Sequence, residues 1–361
     1  MHDILEGFRD PAAARKLADM LKNLDGEPVS IMEVCGTHTM SIFRFGIRSL
    51  LPQSIRLISG PGCPVCVTPV EFIDAALQLA KREEVIIATF GDLMRVPGST
   101  SSLVREKQYG ADIRVVYSPL DALTIATVNP EKKVVFLSVG FETTAPVCAL
   151  TVLRAKEENL SNYYLLPAHK TMPGALEIIA GDKDSGIGGF LYPGNVSTIT
   201  GTGFFDEIAE KYKVPGVVTG FEPLDILHGI ITLTGLIREG AGIVVNEYKR
   251  VARSEGNPIA LNKMYEVFEP SDAKWRGLGS IAQSGLSIRD KYADFDAWRA
   301  FALPMESGAE PSGCLCPQVL TGKVTPDKCM HFGKKCTPES PVGACMVSSE
   351  GTCAAYYRYS S

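Results

Sequence analysis

VVFLSVGFETTAPVCALTVLRAKEENLSNYYLLP, residues 134–167, reads in one pass as strand, turn, helix and strand. Its opening run VVFLSV (134–139) is almost continuously apolar instead of alternating, which marks a strand covered on both faces. Gly140 breaks that run, Pro146 is suited to a first helical position, and PVCALTVLRAKEENL (146–160) carries apolar residues at helical spacing. The extended pattern then returns in YYLLP (163–167). Two such strands joined by a helix make a βαβ unit, which requires a parallel sheet.

The same alternation extends in both directions. Apolar runs recur at 29–34, 55–59, 85–90, 113–118, 216–221 and 242–248, with helical patterns at 69–84 and 223–240. That is more units than one sheet holds comfortably, so the expected fold is α/β with two doubly wound parallel-sheet lobes. The expected division is 1–145, 146–303 with a helical extension, and a Cys-rich module at 304–361, where Cys, Pro and Gly replace the alternation. Gly140-Phe141-Glu142 is echoed in Gly220-Phe221-Glu222, each just after a strand, which suggests related lobes.

Composition narrows the function. In 361 residues, 45% are hydrophobic and 21% charged, enough for a sizeable core. A formal net charge of −5 leaves no basic footprint for nucleic acid or anionic membrane. No continuous apolar segment opens the sequence, so neither a signal peptide nor a membrane span is expected and the cytoplasm follows. Ten cysteines in a reducing compartment then point to metal, cluster or redox duty.

Ligands in open parallel sheets bind beyond the carboxyl ends of the strands. By that rule Cys35, His38 and Thr39 follow the strand at 29–34, Cys63 and Cys66 follow the strand at 55–59, and Glu142, Thr143 and Thr144 follow the strand at 134–139. The expectation is one cleft holding three thiols, an imidazole and a carboxylate. Each has a plainer alternative: a structural histidine at 38, helix-capping threonines at 143 and 144, and for Cys148 a small apolar core residue. Cys63-Pro-Val-Cys66 alone fits a redox pair, part of a zinc site or two neighbouring core thiols, although a helix start favours thiolate.

The tail carries six cysteines, Cys314, Cys316, Cys329, Cys336, Cys345 and Cys353, two more than a [4Fe–4S] cluster or a zinc ion needs. A cluster beside a spare thiol pair is similar to the arrangement of ferredoxin:thioredoxin reductases. If it works as in those enzymes, Cys314, Cys329, Cys336 and Cys353 bind the cluster and Cys316 and Cys345 form the redox pair. Other permutations, and zinc with two bystanders, stay open on spacing alone.

CGTHTMSIFRFGIRSLLP (35–52), GPGCPVCVTP (60–69), GFETTAP (140–146), PGNVSTITG (193–201), GFEPLDIL (220–227) and the tail FGKKCTPESPVGACMVSSEGTCAAYY (332–357) together resemble the HypD family of nickel–iron hydrogenase maturation proteins, over nearly the whole chain. The resemblance implies a scaffold that, with the small partner HypC, holds the Fe(II) on which one CO and two cyanides are mounted. The cyanides would come from HypE working with HypF, and the hydrogenase large subunit would be served indirectly. It further implies Cys35 as thiolate ligand of that iron, Cys63 and Cys66 as the redox pair beside it, and His38, Thr39 and Glu142 in support. At Asn195 the family commonly has histidine. A rival from a different class is a cluster-dependent protein disulfide reductase with no N-terminal iron. The segment SIFRFGI (41–47) is either a HypC contact or an ordinary amphipathic helix.

Overall fold

The computed structural model describes residues 7–303 and 308–359. In chain order its strands are β1 (Val29–Glu33), β2 (Ile55–Ser59), β3 (Val85–Thr89), β4 (Ile113–Val115), β5 (Lys133–Ser138), β6 (Tyr163–Pro167), β7 (Gly189–Pro193), β8 (Gly216–Thr219), β9 (Val244–Asn246), β10 (Phe268–Trp275) and β11 (Gly279–Ile288). They form a five-stranded sheet in the order β2-β1-β7-β8-β9 and a four-stranded sheet in the order β4-β3-β5-β6. Every pairing in both is parallel. Strand interiors are buried almost without interruption, as the unbroken apolar runs require.

The opening stretch behaves as read. β5 leads through Gly140 into the helix Ala145–Glu157, with Pro146 in its first turn, and β6 returns beside β5. Cys148 lies on the buried face of that helix, and burial pushes its thiol up to about 12.

The lobes, however, are not consecutive halves divided at residue 145. The chain builds β1 and β2, leaves to build all four strands of the second sheet, and comes back with β7 on the open flank of β1. Local periodicity carries no information about which flank a later strand fills. β7, GFLYP, is a short run between glycines and a proline and was absent from the expected strands. The expected helical extension is the helix Pro258–Val267 followed by an antiparallel hairpin, β10-β11, with a register shift between Ser271 and Ala273. β10 alternates buried and exposed residues only in part, and Pro270 interrupts its pattern.

The Cys-rich tail packs closely on the rest of the chain. Ala344, Cys345 and Met346 are fully buried in the same apolar cluster as Cys63, Cys66 and Val67. Arg276 at the hairpin turn ties these parts together. Its backbone N–H donates to Val67 O at 2.8 Å, its guanidinium donates to Thr68 O at 3.0 and 3.2 Å, and it pairs with Glu310. Nearly all of this cation is buried, so truncation would leave several acceptors unpaired. Arg276→Ala is expected to lower stability by about 2–4 kcal/mol, read from the urea midpoint of the full-length protein. A midpoint equal to wild type would show that the hairpin is not anchored this way.

Candidate functional site

A cleft of about 600 Å³ opens where the carboxyl ends of both parallel sheets face each other. Cys35 after β1, Gly62 after β2, Gly91 after β3, Tyr117 after β4, Thr144 after β5 and Asn195 after β7 all line it.

Cys35 has extended backbone (φ −145°, ψ 130°) and is the cap residue of the helix Gly36–Arg44, yet its side chain makes no capping bond. The thiol is therefore not spent on a capping bond, although Thr37 and the His38 N–H of that helix lie close to it. The Gly36 N–H donates to Gly62 O at 3.0 Å, which seats the turn after β2 on the turn after β1. Any Cβ on Gly62 would collide with the backbone of Cys35, so only glycine allows this approach. Gly36 is equally constrained: a Cβ there would lie 2.5 Å from Cβ of Glu350 in the tail. Glu350 accepts a hydrogen bond from the Thr37 hydroxyl at 2.7 Å.

Burial pushes the Cys35 thiol up to about 11, and the nearby Glu350 carboxylate adds to the effect. Hydrogen bonds from Thr37 and the His38 N–H pull the other way and are outweighed. Burial thus wins over the favourable helix start.

Cys63 and Cys66 form a disulfide, with Cα atoms 5.2 Å apart. Pro64 occupies the first position of the short helix Pro64–Val67, and Cys63 Sγ accepts from the Cys66 N–H at 3.2 Å. Both cysteines are buried and neither lines the cleft, which Pro64 and Val65 do.

The single cleft expected for three thiols, an imidazole and a carboxylate is therefore only partly realised. His38 turns away from it: Nε2 donates to Gly220 O at 2.9 Å and the ring lies on Phe221, centroids 4.6 Å apart. Burial lowers its pKa to about 4, leaving a neutral ring with Nδ1 unpartnered. Thr39 is buried and donates to Cys35 O at 3.4 Å. Glu142 also points inward. One carboxylate oxygen accepts from the Met172 N–H at 2.7 Å, at the start of the helix Met172–Gly181, and the other has no partner. Burial raises its pKa to about 7. Thr143 and Thr144, read as possible caps, do line the cleft, and Thr144 makes no capping bond.

Asn195 lines the cleft as well, its side-chain carbonyl accepting from the Val196 N–H at 2.8 Å. Phe43 is covered by Tyr356 of the tail, centroids 4.7 Å apart, with the Arg48 guanidinium over the ring. In SIFRFGI, Ile42 and Ile47 are buried, Phe43 and Phe45 half-buried and Arg44 and Gly46 exposed, and the helix itself ends at Arg44.

In the tail, Cys314, Cys316, Cys329, Cys336 and Cys353 ring one small cavity. Cys345 lies outside that ring, against Cys316 and Cys353. A Cβ on Gly343 would fall 2.6 Å from the Cys316 sulfur and 2.7 Å from the Cys314 sulfur. The hydrogen bond from Cys316 holds the Cys314 thiol down at about 6, with Arg276 contributing.

Sequence reasoning missed three acids, Glu33, Asp92 and Glu350, and their partners. Glu350 reaches Thr37, Ser348 donates to Asp92 at 2.9 Å, and the fully buried Glu33 accepts from Ser59 at 2.7 Å with one oxygen unpartnered. Glu33, next to last before Cys35, was legible as a charge inside an apolar strand. Glu350 had no local signal.

The model of the HypD family, described as "Hydrogenase formation hypA family", matches residues 12–360. The chain is 46% identical over 364 residues to the hydrogenase maturation factor HypD of Rhodobacter capsulatus, covering 98% of this chain and 97% of the relative. It is 43% identical over 365 residues to the hydrogenase expression/formation protein HupD of Azotobacter chroococcum mcd 1, covering 98% and 96%. With the hydrogenase maturation factor HypD of Escherichia coli (strain K12) the identity is 44% over 346 residues, covering 96% and 93%.

Glu142 yields a pH prediction. Its folded pKa of about 7 lies above its ordinary value of 4.5, so the folded state holds the proton more tightly. The resulting stability is fully present below pH 4.5 and lost as pH rises through 7. Glu142→Gln should remove that fall, which amounts to at most about 3 kcal/mol. Urea midpoints of both proteins between pH 4.5 and 8 test it; parallel curves would mean that Glu142 is not a buried, strained acid.

Proposed function

The chain belongs to the HypD family of hydrogenase formation proteins, and from that membership we propose how it serves as a hydrogenase maturation factor. With HypC it scaffolds assembly of the Fe(CN)₂CO centre of nickel–iron hydrogenases, whose cyanides come from HypE working with HypF. The finished centre passes on toward the hydrogenase large subunit. The iron and its diatomic ligands are cargo here, not a resident cofactor.

One observation carries the reading: the Cys35 thiol, uncommitted to any cap, stands in a cleft where the strand ends of two sheets converge. A thiolate is the protein donor that suits low-spin Fe(II) bearing CO and cyanide. HypC, bringing a ligand of its own, docks over this cleft. Metal binding would displace the proton that burial holds on Cys35. His38 and Thr39 support the metal site without touching it, His38 by fixing the helix start against Gly220. Glu142 supports it by holding the helix Met172–Gly181 in register.

Electrons reach this place through thiols. Cys63 and Cys66 pass two electrons and two protons when they interconvert between dithiol and disulfide. Their short helix packs on the turn Ala344–Met346, which carries Cys345.

The tail donors fit a resident [4Fe–4S] cluster. Among the described residues no three Cys, His or acidic side chains converge on one metal-ion position. The tail thiols surround a cavity instead, at a glycine where any Cβ would meet two sulfurs. Cys314, Cys329, Cys336 and Cys353 would hold the cluster, leaving Cys316 and Cys345 as the spare pair. When bound, the cluster supplies electrons one at a time beside a two-electron thiol pair.

Cys35→Ala is expected to give a HypC complex without infrared bands of iron-bound CO and cyanide, while the brown cluster absorption persists. Cys329→Ser should lose the absorption, and Cys316→Ser should keep it. Wild-type infrared bands in Cys35→Ala would remove that thiol from the reading, and an unaltered cluster spectrum in Cys329→Ser would overturn the tail assignment.

A further inference from the structure

A second cavity, of about 400 Å³, lies between β6, the hairpin β10-β11 and the helix starts at Val70 and Ala297. Its walls are mostly apolar, with Phe72, Leu286 and Trp298 among them, and a single lysine, Lys170, is buried in its lining.

The charges around it are unevenly matched. Glu71 pairs with Lys274. Asp272 accepts from the Gln283 N–H at 3.0 Å. Asp296 accepts from the Trp298 N–H at 2.9 Å and pairs with Arg299 at 3.4 Å. Among the described residues two of the wall's acids are ion-paired, and the third, Asp272, is held by hydrogen bonds from Gln283 alone. Lys170 is only 5% exposed, and its ammonium has no hydrogen-bond or ion-pair partner among the described residues.

The position is built, not incidental. The Lys170 N–H donates to Gly140 O at 3.0 Å, Lys170 bridges to Gly285 of β11, and His169 O accepts from the Leu286 N–H. Backbone on two sides therefore holds a cation against an apolar hollow. An ammonium withdrawn from most of its water favours a site where an anion can join it. Burial lowers its pKa to about 8, which still leaves it mostly protonated at neutral pH.

We propose that this cavity binds a small organic anion, a carboxylate on a flat apolar body, with Lys170 meeting the carboxylate and Phe72 and Trp298 enclosing the body. The volume lies in the range of small-molecule pockets. The site stands back to back with the main cleft. His169 lines it and hydrogen-bonds Thr144, which lines the cleft, at 3.3 Å. The inference does not depend on the iron-assembly reading.

Benzoate is the probe, titrated into the purified full-length protein by calorimetry and by tryptophan fluorescence. Trp298 lines the cavity while Trp275, the other tryptophan, is buried against Phe141, so benzoate should change the emission of wild type and not of Trp298→Phe. Benzyl alcohol and benzylammonium should bind at least about tenfold more weakly, and Lys170→Met should lose about tenfold or more in benzoate affinity while Lys170→Arg retains most of it. The comparison of the three probes on wild type needs no variant to fold. Absence of saturable benzoate binding up to the millimolar range, equal binding of the neutral or cationic probe, or undiminished binding to a folded Lys170→Met would each overturn the proposal.

Discussion

The Gly36 N–H to Gly62 O hydrogen bond, made across a contact that tolerates no side chain at 62, is the constraint on which the rest of the site depends. β1 and β2 are adjacent parallel strands, so their outgoing turns are neighbours by topology alone. Neighbouring is not enough for chemistry between thiols. Removing the Cβ at 62 lets the second turn settle on the first, against the backbone of Cys35. Pro64 commits the chain to a helical turn at that point, which brings Cys66 back within disulfide reach. The tail closes the arrangement by laying Glu350 on Gly36, where again no side chain would fit.

This closure explains the electrostatics of Cys35. A thiol at a helix start is ordinarily eased toward thiolate. Here packing leaves Cys35 only 7% exposed, and desolvation with a carboxylate nearby outweighs the hydrogen bonds to the thiol. The same burial leaves Glu33 and Glu142 raised, each with one unpartnered oxygen. A metal cation at Cys35, as proposed above, would relieve the cost of a buried thiolate, so the preference for a proton and the proposed role would share one cause.

Much of the scaffold was legible because fully buried parallel strands leave an unmistakable trace. IRLIS and YYLLP are strands over their whole length, and the helix read from Pro223 begins there. What could not be read was nonlocal. The return of β7 to β1 depends on an open flank that nothing in GFLYP encodes. Site residues divided along the same line. Cys35, Thr143 and Thr144 sit in the cleft as the strand-end rule demands, whereas His38 and Glu142 follow the correct strands but turn inward. Which way a side chain turns is decided by what packs behind it, and for His38 that is Gly220 and Phe221, far along the chain.

The two Gly-Phe-Glu turns show how one local solution serves different ends. Both follow a parallel strand. In the second, the Glu222 N–H donates to Asp225 at the start of the helix Pro223–Arg238, and the Glu222 carboxylate pairs with Arg9. In the first, Glu142 reaches across to the Met172 N–H of a different helix and is buried in doing so. An acid at a helix start is cheap when solvent reaches it and costly when it does not. Glu222 is the stabilising version of the turn. Glu142, held near neutral pKa beside cleft-lining Phe141, Thr143 and Met172, is the version in which stability has been given up at a functional edge.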